Sequence, residues 1–283
     1  MTRRHIDRHI RAVADTIGHF MRVAGGRWRT AILVAASLPV LAAAAPMSKD
    51  ASPESIVPTQ CEVPDDTAMV EGPLPRLARK MKSTDPLTIV VIGSGSAAGS
   101  GTSRKDAAFP YRLETRFQKA FNKPKTRLVV LAEMGQTAPS MYARIAKDII
   151  PLKPALVVWQ TGSADAARGT PVMEFGMALE RGIGELRDQG SDVLLMDSQF
   201  SPRASLLVNT DAYREAVRWN ARRYDVPLLK RYDTMQYWWS HDVFDLDAEG
   251  KANQLDNADH IHDCVAALLV RVIQRGIVVG GKS

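Results

Sequence analysis

Outside the first 45 residues the chain has three histidines, His241, His260 and His262, and Asp259 stands three positions before the last of them in DNADHIHDC, Asp256 to Cys264. A carboxylate that close can bond the imidazole Nδ1–H, set the tautomer and leave Nε2 to take a hydroxyl proton. Hydroxyls are on offer in LTIVVIGSGSAAGSGTS, Leu87 to Ser103, where the run from Gly93 onward holds only Gly, Ser, Ala and Thr. Such small residues let the backbone turn sharply and a ligand approach the main chain. Two chemistries suit the stretch: phosphate cradling by backbone N–H groups, or a serine nucleophile, Ser94 or Ser96, presented at a strand end.

These residues need elements to position them. Leu87 and Ile89 to Ile92 read as a strand buried on both faces, and Arg127–Ala132, Ala155–Gln160, Asp192–Met196 and Val226–Leu229 read the same way. Between them lie helical patterns at Ala107–Phe121, Gly135–Ile150, Pro171–Gln189 and Thr210–Arg223, with a last helix over about Asp263–Arg275. A short helix is expected near Pro73–Met81, and irregular structure over Tyr232–Asp256. Alternating strands and helices predict an α/β fold with a mostly parallel five-stranded sheet covered by helices on both faces. Function in such folds lies in the loops at strand ends: GSGSAAG, EMGQTA, QTGSADAARG and DSQFSPR, with the Asp259/His262 segment before the last helix. Arg168 and Arg203, on two of these loops, are candidates to pair with an anionic substrate.

Composition bounds the setting. Ala31–Ala45 is an apolar run preceded by Arg22, Arg27 and Arg29 and ending in small residues, the pattern of a secretory signal peptide cleaved near Ala44 or Ala45. Met21 offers an alternative start, and an uncleaved anchor is the alternative fate. The expected division is an N-terminal extension and signal over 1–45, a Pro-rich leader over 46–86 and the main domain over 87–283. Residues 1–44 hold seven Lys/Arg and two Asp/Glu of the chain's 37 and 31, so the remainder carries 30 and 29 and is close to neutral. That balance gives no electrostatic footprint for nucleic acid. The two cysteines, Cys61 and Cys264, lie in the exported part, which predicts one disulfide and a periplasmic or secreted protein. Their number and spacing offer no metal site, and no cofactor is expected.

The serine-rich turn after the first strand, Gly135 after the second, Gly162-Ser163-Ala164 after the third and Asp259-x-x-His262 before the final helix together resemble the SGNH (GDSL) hydrolase family over roughly residues 87–275. The resemblance implies a flavodoxin-like three-layer α/β/α sandwich and hydrolysis of an acyl or acetyl ester on a lipid or envelope glycan. It implies His262 as general base, Asp259 as its orienter and the Gly135 N–H as an oxyanion donor. Two blocks depart from the family. Aligning its flanking glycines on Gly93 and Gly99 puts Gly95 at the nucleophile, between Ser94 and Ser96, with Ser96 slightly preferred. Ala164 stands where the family has an oxyanion-binding Asn, so Gln160, Ser163 or Asp165 must compensate. A protein that keeps the fold and only binds is the alternative. Gly93-x-Gly95-x-x-Ala98 also fits a dinucleotide fingerprint, although the nearest acid at the end of the second strand, Glu133, arrives later than that motif requires.

Overall fold

The computed structural model describes residues 56–281. Six strands form one sheet: β1 (Met69–Val70), β2 (Leu87–Gly93), β3 (Thr126–Ala132), β4 (Leu156–Gln160), β5 (Asp192–Met196) and β6 (Leu228–Leu229). Their order is β1-β6-β5-β4-β2-β3. All neighbours are parallel except β1 and β6, where Met69 pairs with Leu229 and Val70 with Leu228.

The helices, in chain order, are α1 (Asp65–Ala68), α2 (Pro75–Met81), α3 (Phe109–Phe121), α4 (Ala138–Tyr142), α5 (Ser163–Arg168), α6 (Val172–Asp188), α7 (Pro202–Ser205), α8 (Asp211–Arg223), α9 (Arg231–Ser240) and α10 (Lys251–Gly280). Successive strand side chains point to opposite faces, and the central strands are apolar at nearly every position, Thr88, Gln160 and Asp192 excepted, because both faces are covered. Ile89 and Val91 join Leu113 and Phe117 of α3 and Val265, Leu268 and Leu269 of α10 in one core. Val90 and Ile92 join Met141 of α4, Leu179 and Ile183 of α6 and Val217 of α8 in the other. Helices, sheet and helices thus make three layers, as the sequence implied. α6 packs closely because Gly182 lies where a Cβ would stand 2.5 Å from Trp159 Cζ3.

Several expectations are corrected. The sheet has six strands rather than five: the extra strand, Met69–Val70, is two residues long and carries no readable period. Leu74 and Leu77, near it, are fully buried, and Leu77 N–H donates to Asp192 Oδ2 at 2.8 Å. The helix expected over Gly135–Ile150 is broken into α4, a π-helical turn (Ile145–Ile149) and a 3₁₀ turn (Ile150–Leu152). Pro139 lies in the first turn of the first piece, and Pro151, two residues after the π-helical turn, lacks the N–H that would continue the ladder. The expected fifth strand is shortened to Leu228–Leu229, with Pro227 just before it. The stretch Tyr232–Asp256, expected to be irregular, contains most of α9, and α10 begins at Lys251, well before Asp263. The first turns of α10 read KANQLDNADH and are largely exposed, so no apolar stripe announced them.

Cys61 and Cys264 form the expected disulfide, with Cα atoms 5.2 Å apart across a sequence separation of 203. Arg271 pairs with Glu62 at 2.7 Å and Arg275 with Asp65 at 2.5 Å, so α10 holds the segment before β1 by charge as well. No helix among the described residues is long and apolar enough to cross a membrane. The segment read as a signal peptide lies outside the described residues.

Candidate active site

β2 delivers the serine loop to the end of the sheet. Gly93 is required there: a Cβ would stand 2.7 Å from Ala97 Cβ and 2.8 Å from Gln160 Oε1. The loop then folds on itself, with Ala98 N–H donating to Ser94 O at 3.0 Å and Ser100 N–H to Gly95 O at 2.8 Å. This curl sends the two candidate serines to different neighbours.

Ser94 is buried. Its N–H donates to Gln160 Oε1 at 3.0 Å, and its Oγ accepts from Gly135 N–H at 3.1 Å. Gly135 has φ +78, a conformation that favours glycine, and the Arg168 guanidinium covers the space a Cβ would take. Three residues named from sequence, Ser94, Gln160 and Gly135, are therefore bonded in one chain. Ser163, at the start of α5, has a buried Oγ with no hydrogen-bond partner. Asp165 is fully buried and accepts from Ala138 N–H at 2.8 Å, Thr161 Oγ1 at 3.2 Å and Gly162 N–H at 3.3 Å. Burial pushes its carboxyl above the usual range, the three bonds opposing. It staples the loops after β3 and β4 together.

Ser96 faces the other way. Its Oγ lies 3.5 Å from His262 Nε2 and accepts from Arg231 Nη1 at 2.8 Å. His262 is buried on α10, and its Nδ1 accepts from Phe109 N–H at 2.9 Å, just at the start of α3. A nitrogen that accepts carries no proton, so in this geometry Nε2 is the protonated one. Burial first, and the Arg231 charge second, push the imidazole down to about 3, so the ring is neutral at ordinary pH. Asp259 does not bond His262: Oδ1 accepts from Ser103 N–H at 2.9 Å and Oδ2 from Ser103 Oγ at 2.5 Å. Partial burial acts to raise that carboxyl, but the two Ser103 bonds, with Arg112 and His262, hold it below the usual range.

Arg231 was not singled out from sequence. It is 1% exposed at the first turn of α9, directly after β6, and sequence alone showed only a basic pair, Lys230-Arg231, beside a stretch read as irregular. Burial pulls its guanidinium down to about 10, still charged at neutral pH, with Asp197 opposing. Arg231 and His262 line a cavity of about 320 Å³ together with Phe200, Gln199, Asn257 and Ile261. The two other histidines stand apart. His241 stacks on Tyr237 with ring centroids 4.0 Å apart, and His260 lies 3.6 Å from Asp256. Trp238 is core, whereas Trp239 is partly exposed against Phe200. Arg203 is engaged by Asp247, its Nη2 donating to the Asp247 carbonyl at 3.1 Å.

The dinucleotide arrangement needs the glycine turn to run straight into a helix N-terminus that receives the pyrophosphate. Here a 3₁₀ turn (Lys105–Ala107) intervenes and α3 begins only at Phe109. Glu133 is drawn to Arg144 at 3.2 Å instead of the loop.

Fold and loop order define an α/β/α sandwich of the SGNH-hydrolase kind. A lipase/acylhydrolase from Enterococcus faecalis superposes with TM-score 0.54 at 20% identity, over 69% of this chain and 96% of that one. An α/β hydrolase from the metagenome of Lake Arreo, Spain, gives 0.52 at 16%, over 68% and 98%. A two-domain esterase active on acetylated mannans, crystallised with mannopentaose, gives 0.60 at 19%, over 75% of this chain; the match spans 56% of that longer protein. No curated protein sequence matches. The Non-GDSL lipase-like family model matches residues 60–279. The chain belongs to that family.

Proposed function

We propose that the chain is an exported serine ester hydrolase that removes an acyl or acetyl group from an envelope glycan or lipid, with Ser96 as nucleophile. The observation that carries this reading is the Ser96 Oγ, 3.5 Å from His262 Nε2 and 2.8 Å from Arg231 Nη1 beside a cavity. The disulfide favours an oxidising compartment, and similarity to an esterase active on acetylated mannans favours a glycan ester.

In the proposed reaction Ser96 Oγ attacks the ester carbonyl and His262 takes its proton. That step needs the imidazole protonated on Nδ1 and unprotonated on Nε2, the opposite of the observed arrangement. Nδ1 must then exchange the Phe109 N–H for an acceptor. Asp259, three residues earlier on α10, is the carboxylate for this role once Ser103 releases it. The Gly135 N–H would serve the oxyanion only after giving up Ser94 Oγ. A fold-retaining binding protein is the second reading, favoured by the occupied state of these same groups: Nδ1 on Phe109, Asp259 on Ser103 and Gly135 on Ser94.

Hydrolysis of an aryl acetate decides between them. On the hydrolase reading Ser96→Ala and His262→Ala each lower kcat by roughly 10³-fold or more, while Ser94→Ala has a much smaller effect. Wild-type turnover no greater than that of the Ser96→Ala variant refutes the hydrolase reading and leaves the binding protein.

A further inference from the structure

Arg231 is buried without a counter-charge. Among the described residues no carboxylate oxygen lies within 4.0 Å of its guanidinium, its Nε is buried with no acceptor, and its one hydrogen bond runs from Nη1 to Ser96 Oγ at 2.8 Å. A guanidinium withdrawn from water is costly unless an anion or several acceptors meet it. The internal carboxylate that acts on its charge is Asp197 at the end of β5, whose Oδ1 accepts from Tyr232 N–H at 3.0 Å and whose Oδ2 has no partner. Burial pushes that carboxyl up to about 7, so it is only partly ionised at neutral pH, and no hydrogen bond or ion pair joins it to the guanidinium.

The same guanidinium lines the cavity of about 320 Å³, and neutral His262, with its proton on Nε2, lines it too. The remaining cavity wall includes the neutral polar side chains of Gln199, Ser201 and Asn257. Of its other charges, Arg203 pairs with Asp247, and Asp245 is exposed at the rim, its Oδ1 accepting from Asp247 N–H at 3.0 Å. Besides the Phe109 ring 5.9 Å from its Cζ, the guanidinium thus has unused donor capacity at a cavity that a ligand can enter.

We propose that Arg231 makes this cavity a carboxylate-binding site, with the guanidinium and the His262 Nε2–H as its donors. Planar carboxylates match the guanidinium fork, which gives them an advantage over spherical anions. On the hydrolase reading, on which the origin of the ligand rests, two carboxylates are in prospect. One is the acid released when the acyl-enzyme is hydrolysed: water adds to the acyl carbonyl, Ser96 Oγ leaves with a proton, and the acid loses its own proton to solvent. The other is a carboxylate carried by the glycan itself.

Calorimetric and NMR titration of the purified, oxidised protein with acetate, glucuronate, glucose and chloride, at matched ionic strength, tests this directly and needs no turnover. Acetate and glucuronate should bind and shift the His262 imidazole resonances, while glucose and chloride should not. Arg231→Met should weaken carboxylate binding by about 10- to 100-fold, the usual worth of a charged hydrogen bond, and Arg231→Lys should retain part of it. Equal affinity for acetate and glucuronate assigns the site to the acyl product, and a clear preference for glucuronate assigns it to an acidic sugar. Carboxylate binding that equals chloride binding, or that persists unchanged in Arg231→Met, overturns the proposal. If Arg231→Met does not fold, the Arg231→Lys titration and the His262 shifts decide. If aryl acetate is not hydrolysed but carboxylate binding depends on Arg231, the hydrolase reading falls and the site stands.

Discussion

Asp197→Asn should stabilise the protein selectively above neutral pH. Asp197 is fully buried at the end of β5, with one oxygen on Tyr232 N–H at 3.0 Å and the other without a partner. Desolvation pushes the folded carboxyl up from 3.8 to about 7. A raised folded value means that the protonated carboxyl favours folding fully below pH 3.8, and that this advantage is lost as pH rises through about 7. Each tenfold weakening of the acid corresponds to about 1.4 kcal/mol, so the penalty above pH 7 reaches about 4 kcal/mol as an upper limit. Asn keeps the acceptor for Tyr232 N–H and cannot ionise. It adds an amide N–H₂ that lacks an acceptor, at a cost of about 1–3 kcal/mol that is the same at every pH. Urea unfolding of the oxidised protein and the variant at pH 4 and pH 8 isolates the titration, because the constant cost and every other titrating group cancel in the double difference. The expected double difference is about 2–4 kcal/mol in favour of Asn at pH 8. A value within about 0.5 kcal/mol of zero would show that Asp197 titrates normally and is not desolvated in solution.

His262 supplies the opposite slope: with its folded value depressed from 6.5 to about 3, stability should fall as pH drops from 6.5 towards 3, and His262→Phe should flatten that limb in acid urea titrations. Cys61→Ser with Cys264→Ser removes a cross-link spanning 203 residues, which the chain-entropy model values at about 5 kcal/mol; a midpoint in guanidinium unchanged from the oxidised protein would refute it. Gly93→Ala should depress both aryl acetate turnover and Tm, because the new methyl meets Ala97 Cβ at 2.7 Å and Gln160 Oε1 at 2.8 Å. Ser103→Ala frees Asp259 from the hydroxyl bond and leaves only the Ser103 N–H on it, so it should raise kcat on aryl acetate if release of that carboxylate limits the reaction; a lowered kcat with unchanged Tm would instead make Ser103 part of the working site.

What could be read in advance followed from period and from chemistry local in sequence. β5 was expected at its observed bounds, and β2, β3 and β4 within about two residues, because strands covered on both faces leave near-continuous apolar runs and the partly buried edge strand β3 keeps one over 128–132. The cysteine pairing followed from number and compartment. Elements whose stability comes from distant partners left no such trace. Met69–Val70 becomes a strand only because β6 offers an edge, and the aromatic-rich α9 has no clean apolar stripe because Trp238, Met235 and Arg231 are all buried at once. The site divides along the same line. Asp259, His262 and the two serines were visible as types and spacing, but which serine faces the imidazole depended on the curl of the loop after Gly93. Arg231, 135 positions from Ser96, enters the site only through the sheet order that sets the end of β6 beside β5.

The position of Arg231 bears on both readings of the site. A positive charge 2.8 Å from Ser96 Oγ is unfavourable for imidazolium formation at His262, and it is one cause of that ring's depressed basicity. The same charge favours negative charge on Ser96 Oγ itself, by several kcal/mol at an effective dielectric near 20. A weak base is therefore paired with a hydroxyl made easier to deprotonate. The two effects oppose each other in the proton transfer but not after it: once a tetrahedral oxyanion forms, a guanidinium in place is a donor that needs no reorganisation. Ala164 leaves the loop after β4 without an Asn donor, and Arg231 places a charged donor at Ser96 from the far side, after β6. On the hydrolase reading the anion-stabilising element thus sits at a different position in the fold, and the carboxylate site proposed above uses that same charge where it lines the cavity.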